Sequence, residues 1–128
     1  MSEIKTFKSL LVANRGEIAA RIIKTSNYMG LNTIAIYTDA DAMSPHVSMA
    51  NEAINIGTGP IGDSYLSIEK IIDVAKKVGA DAIHPGYGFL SENHNFSEAC
   101  NSSGIVFVGP SPKSIELMGN KAQAKRIM

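Results

Sequence analysis

The chain has 128 residues, 45% of them hydrophobic and 19% charged, which suits one domain with a single buried core. Twelve basic residues balance twelve acidic ones, so no bulk attraction draws it to nucleic acid or to an anionic membrane. One cysteine excludes an internal disulfide, and a reducing compartment fits. The first eight residues carry neither the apolar segment of a signal peptide nor the Arg-rich pattern of a transit peptide. The apolar runs are too short to span a bilayer, so the expected location is the cytoplasm.

Leu10, Leu11, Val12 and Ala13 predict a buried strand. Ile18, Ala19, Ile22, Ile23 and Met29 follow at helical spacing, with Gly30 placed to end the helix. Residues 33–37 predict a second strand. Ser44 and Pro45 then open a short helix, with the proline in its first turn. Residues 52–56 predict a third strand. Ile68, Ile71, Ile72, Ala75 and Val78 give the clearest amphipathic helix, stopped by Gly79. Residues 81–84 predict a fourth strand, cut off by Pro85. Phe96 to Cys100 falls in a helix for which Asn95 is the expected cap, with Glu98 three residues on. That places Cys100 as a half-buried thiol rather than a nucleophile. Residues 105–108 predict a fifth strand. Ser111 and Pro112 open another helix, and residues 121–128 are helical.

Strands alternating with helices, and strands that are continuous apolar runs, predict an α/β fold. The expected architecture is a Rossmann-like three-layer domain with a mostly parallel sheet of about five strands. Ligands in such folds sit beyond the carboxyl ends of the strands. That rule selects three loops, at residues 14–17, 85–93 and 109–111.

The first loop, Asn14-Arg15-Gly16-Glu17, has one glycine where a dinucleotide fingerprint needs three. Its simplest reading is a salt-bridged turn, with Glu17 favourably placed at a helix start. A G-x-G-x-x-G does occur at Gly57, Gly59 and Gly62, but it follows the third strand. Pro60 also removes an amide from its cradle. A nicotinamide cofactor is therefore disfavoured.

The second loop is denser in chemistry: His84-Pro85-Gly86-Tyr87-Gly88-Phe89-Leu90-Ser91-Glu92-Asn93. Two glycines allow close backbone approach around a tyrosine that offers a flat face and a hydroxyl. An ordinary turn with a core histidine is the rival reading. His46 and His94 share no metal-ligand spacing with each other or with Cys100, and surface positions are expected for both. Lys121 stands near a helix start, where it can reach a phosphate or a base. Lys125 and Arg126 read as a solvated face.

Taken together, residues 11–19, 84–93, 107–110 and 117–121 resemble, in order and spacing, the biotin carboxylase component of acetyl-CoA, propionyl-CoA, methylcrotonyl-CoA and pyruvate carboxylases. The resemblance covers about residues 8 to 128. It implies a pre-ATP-grasp domain over residues 1–120, with residues 121–128 starting the helical connection to an ATP-grasp domain. It also implies an ATP-dependent ligase in which bicarbonate and ATP form carboxyphosphate and carboxylate biotin, with Mg2+ on the phosphates. Tyr87 matches the family tyrosine against biotin, with Gly86 and Gly88 shaping that edge of the pocket. Lys121 matches the lysine that contacts the nucleotide.

The partners implied are the ATP-grasp and C-terminal domains, the biotin carboxyl carrier domain and the carboxyltransferase. A homodimer is expected in the full-length enzyme, through the helix at residues 18–29. The family's catalytic base, bicarbonate arginine and magnesium carboxylates fall beyond residue 128. No catalytic residue or metal ligand is therefore assigned, the chain reads as a fragment inactive alone, and ATP, Mg2+ and biotin are not expected to bind it tightly. The alternative is a non-catalytic dimerisation or docking scaffold. Asn51 and Asn120 stand where the family pattern suggests Asp. Residues 46–50 and 64–72 look closer to acyl-CoA carboxylases than to pyruvate carboxylase.

Overall fold

The alternation of side chains along each strand divides the apolar residues between two faces, and this division builds the fold. A computed structural model of the chain describes residues 8–58, 64–86, 90–91 and 93–108. In chain order these form β1 (Ser9–Val12), α1 (Gly16–Tyr28), β2 (Asn32–Tyr37), a 3-10 turn (Asp39–Asp41), α2 (Pro45–Met49), β3 (Glu52–Asn55), α3 (Ile68–Val78), β4 (Ala82–His84), α4 (His94–Ser102) and β5 (Val106–Phe107). The strands make one parallel sheet in the order β3-β2-β1-β4-β5.

On one face Leu11, Ile34, Ile36 and Ile83 cluster with Ile71, Ile72 and Ala75 of α3 and with Phe96 and Cys100 of α4. On the other, Leu10, Val12, Ala35 and Ala82 cluster with Ala19, Ile22 and Ile23 of α1. Three layers result, as the α/β expectation requires. Each fully buried isoleucine contributes roughly 1.5–3 kcal/mol of apolar burial. Phe96 meets Phe107 edge-on, with ring centroids 5.7 Å apart, and ties α4 to β5.

Within the described residues the predicted strands and helices are present, with ends shifted by one or two residues; the helices expected from Ser111 onward and over residues 121–128 lie outside them. α1 closes in a Schellman motif. Leu31 N–H donates to Ser26 O and Gly30 N–H to Asn27 O, with Gly30 at φ 84°. α3 has the predicted bounds, capped by Ser67, whose hydroxyl accepts from Lys70 N–H.

α4 corrects an expectation. Its cap is Asn93, whose side chain accepts from Phe96 N–H at 3.0 Å. Asn95 lies inside the first turn. Glu98 is then four residues from His94 and pairs with it at 3.1 Å. Cys100 is fully buried rather than half-buried, and desolvation pushes its thiol up to about 11.

Candidate functional site

The sheet order puts β1 and β4 side by side, although β2 and β3 intervene in sequence. From β1 the chain winds outward through β2 and β3, then returns to β4 on the other flank. β1/β4 is therefore the topological switch point, where open parallel sheets bind ligands. The loop after β1 lines it, together with Pro85 and Gly86 directly after β4. These belong to two of the three loops singled out by sequence. The third, at residues 109–111, lies outside the described residues. Gly57 follows β3, an edge strand, and not the switch-point strands where a dinucleotide fingerprint would act; Gly59 and Gly62 lie outside the described residues.

The two switch-point loops are bonded to each other. Ala13 N–H donates to His84 O at 2.8 Å, extending the β1/β4 ladder by one step. Asn14, 1% exposed, then reaches across. Its Nδ2 donates to Pro85 O at 2.8 Å, while its Oδ1 accepts from Arg15 N–H at 2.8 Å. Gly86, at φ +70°, sits directly over this amide. A Cβ there would lie 2.6 Å from Asn14 Nδ2 and 3.0 Å from its Cβ and Cγ. Gly86 N–H donates to Nδ1 of the buried His84 at 3.0 Å. That bond makes Nδ1 an acceptor and puts the neutral ring's proton on Nε2. His84 is thus held in the core and also bonds the peptide that follows Pro85.

Beside the crevice lies a cluster the sequence did not announce. Arg15 grips Asp41 with both arms, Nε to Oδ2 at 2.8 Å and Nη2 to Oδ1 at 2.6 Å. Its salt-bridge partner is 26 residues away, which corrects the expectation of a turn bridged to Glu17. Tyr65 O–H donates to Asp41 Oδ2 at 2.6 Å, and the guanidinium carbon lies 5.7 Å from the Tyr65 ring centroid. Burial pushes the Asp41 carboxyl up, but hydrogen bonds from Arg15 and Tyr65 outweigh it and hold the group below the usual carboxylate value. The hydrogen bond to Asp41 raises Arg15. Desolvation first, and the bond to Asp41 second, raise the Tyr65 phenol, which stays neutral.

His46 also departs from expectation. It is fully buried rather than on the surface, because α2 packs against α1 and β2 and carries the ring inward. Its Nε2 lies 3.1 Å from Ile36 O, which leaves Nδ1 buried without a hydrogen-bond partner. Desolvation lowers its pKa, ahead of the opposing bond to Ile36. His94 is exposed, as expected. Among the described residues no group of His, Cys, Asp or Glu could hold a metal ion.

Of the site residues expected from sequence, Gly86 stands at the switch point. Tyr87, Gly88 and Lys121 lie outside the described residues, as does Asn120. Asn51 accepts from Thr33 N–H at 3.0 Å through Oδ1, an acceptor role that the Asp of the family pattern would also fill. No helix among the described residues is long and apolar enough to cross a membrane.

With this crevice in place, comparison with known proteins is decisive. The family described as biotin carboxylase, N-terminal domain, matches residues 6–115. The chain belongs to this family. It is 54% identical over 122 residues to a biotin carboxylase of Halalkalibacterium halodurans, covering 95% of this chain and 27% of that one. It is 55% identical over 119 residues to the mitochondrial methylcrotonoyl-CoA carboxylase subunit alpha of Mus musculus, covering 93% of this chain and 17% of that one. Its fold superposes with a TM-score of 0.79, at 52% identity, on the biotin carboxylase domain of the Hydrogenobacter thermophilus 2-oxoglutarate carboxylase, covering 96% of this chain and 27% of that one. That structure is a dimer in complex with MgADP, ADP and bicarbonate. The biotin carboxylase N-terminal domain is thus a minor share of the proteins it matches.

Proposed function

We propose that this chain supplies one wall of the active site of an ATP-dependent biotin carboxylase, spanning residues 1–120, with residues 121–128 leading into the ATP-grasp domain. Tyr87, flanked by Gly86 and Gly88, lies against biotin, and Lys121 contacts the nucleotide. The observation that carries this reading is the switch-point crevice. The sequence that resembles the family's biotin loop leaves β4 where a parallel sheet binds ligands, and Gly86 there has no room for a side chain. MgADP and bicarbonate in the related Hydrogenobacter domain support ATP, Mg2+ and bicarbonate as the co-reactants.

In this reading Mg2+ is held by other domains of the same enzyme, as the family resemblance implies. Its partners are those domains, the biotin carboxyl carrier and the carboxyltransferase, which selects the carboxyl acceptor. The catalytic group and the closure over ATP also come from outside these residues, and the 128-residue chain alone turns over no ATP.

A chimera in which this chain replaces the matching segment of the Halalkalibacterium halodurans biotin carboxylase tests the reading. ATP- and bicarbonate-dependent carboxylation of free biotin is expected, with Tyr87→Ala raising the KM for biotin and Lys121→Met raising the KM for ATP. A folded chimera without biotin carboxylation refutes it, as does ATP turnover by the isolated chain.

A further inference from the structure

The bonds at the switch point converge on a single peptide unit. The carbonyl of Pro85 and the N–H of Gly86 belong to the same plane. Asn14 Nδ2 donates to the carbonyl at 2.8 Å, and His84 Nδ1 accepts from the N–H at 3.0 Å. Both side chains are buried, Asn14 at 1% and His84 at 0% exposure. They reach the plane from adjacent strand ends, since Val12 and His84 are register partners. Gly86 then takes φ +70°, with its α-carbon seated over the Asn14 amide. A flip of this peptide would forfeit both hydrogen bonds and turn the carbonyl away from its donor inside a buried site, where such losses are costly.

We infer that Asn14 and His84 are positioning residues, which clamp the Pro85–Gly86 peptide and so fix the direction in which the chain leaves β4 toward Tyr87. The inference deepens the reading of the crevice as a biotin site and rests on it. Neither side chain need touch substrate. Each acts through the backbone of the loop that carries the substrate-facing residue, and small displacements of such a residue carry large kinetic costs.

Asn14→Asp separates the clamp from the bond that Asn14 accepts from Arg15. The carboxylate still accepts from Arg15 N–H, but it sets an oxygen against the Pro85 carbonyl where a donor stood. In the chimera described above, Asn14→Asp is expected to raise the KM for free biotin by about tenfold to a hundredfold, the cost of a misplacement of about 1 Å at the upper end. The KM for ATP should stay close to that of the unsubstituted chimera. A general loss of fold would raise both.

In the 128-residue chain itself, Gly86 N–H should exchange with solvent faster in Asn14→Asp than in the parent. Asn14→Ala, which removes the donor without adding a charge, should do the same and serves if the aspartate variant does not fold. Equal rises in both KM values, or Gly86 exchange unchanged in a folded variant, would overturn the clamp. If the unsubstituted chimera fails to carboxylate biotin, the biotin reading fails, and the exchange measurement still decides the clamp by itself.

Discussion

Tyr65 donates its phenolic hydrogen to Asp41 Oδ2 at 2.6 Å, a bond buried between residues 24 positions apart. It joins the segment before α3 to the 3-10 turn after β2, and Arg15 completes the arrangement from the start of α1. Tyr65→Phe keeps the ring and removes one of the hydrogen bonds that hold the Asp41 charge. The expected cost is about 1.5–3 kcal/mol, the range for a hydrogen bond to a charged group. Arg15 is partly exposed, its side chain at 41%, so Arg15→Met is expected to cost less than Asp41→Ala, which strips both partners at once. Urea unfolding of the three variants tests the order.

The same carboxylate gives the fold a dependence on acid. Asp41 is held below its ordinary value of 3.8 despite burial, by Arg15 and Tyr65. A carboxyl depressed in the folded state contributes stability above its unfolded pKa and loses it as pH falls through the folded one. His46 acts in a higher window. Its folded pKa is lowered from 6.5 by desolvation, so as pH drops below 6.5 the unfolded chain takes up this proton first and stability falls. His46→Gln should therefore flatten the slope of stability just below pH 6.5, while leaving the steeper loss below pH 3.8 in place. Midpoints of urea unfolding measured from pH 7.5 down to 3 separate the two. A slope near pH 6 that His46→Gln leaves untouched would remove this histidine as its source.

The cap of α4 makes a smaller, sharper prediction. Asn93 side-chain oxygen accepts from Phe96 N–H, and Asn93→Ala should cost about 1 kcal/mol. Asn95→Ala, inside the helix, should be neutral or slightly stabilising, since alanine is the better helix former. Thermal unfolding of the pair discriminates the two registers directly.

These residues also mark where the sequence was legible. Leu11 and Val12, or Ile71, Ile72 and Ala75, declare their elements through apolar runs and helical spacing, and such local signals carry the strand and helix order of the described residues. Asn95 misled because the Asn-x-x-Glu pattern mimics a capping box, and only the backbone shows that the helix starts earlier. Arg15 misled because Glu17 is its neighbour in sequence, while Asp41 and Tyr65 become its neighbours only after β2 and α3 are placed. His46 lies in a helix of five residues, too short for periodicity to show which face turns inward. The loop at residues 84–93 stood out as a candidate through its composition and family resemblance. The clamp beneath it was not, because it depends on β1 and β4 meeting across more than 70 residues of chain. Tyr87, Gly88 and Lys121 remain proposals resting on motif and position.

Gly86 offers the last test, because two independent costs meet there. A Cβ at φ +70° is strained for any L-residue other than glycine, by about 1–2 kcal/mol. The same Cβ would lie 2.6 Å from Asn14 Nδ2, a contact relieved only if Asn14 moves and gives up Pro85 O. Gly86→Ala should therefore destabilise the chain by about 2–4 kcal/mol, from the strain together with the loss of a buried hydrogen bond. If the Asn14 clash supplies part of that cost, the effect in an Asn14→Ala background should be smaller, leaving mainly the backbone strain. A double-mutant cycle in urea reads the difference as a coupling energy. Additive costs would show that Gly86 is required for its backbone angle alone, with no contribution from its seat over Asn14.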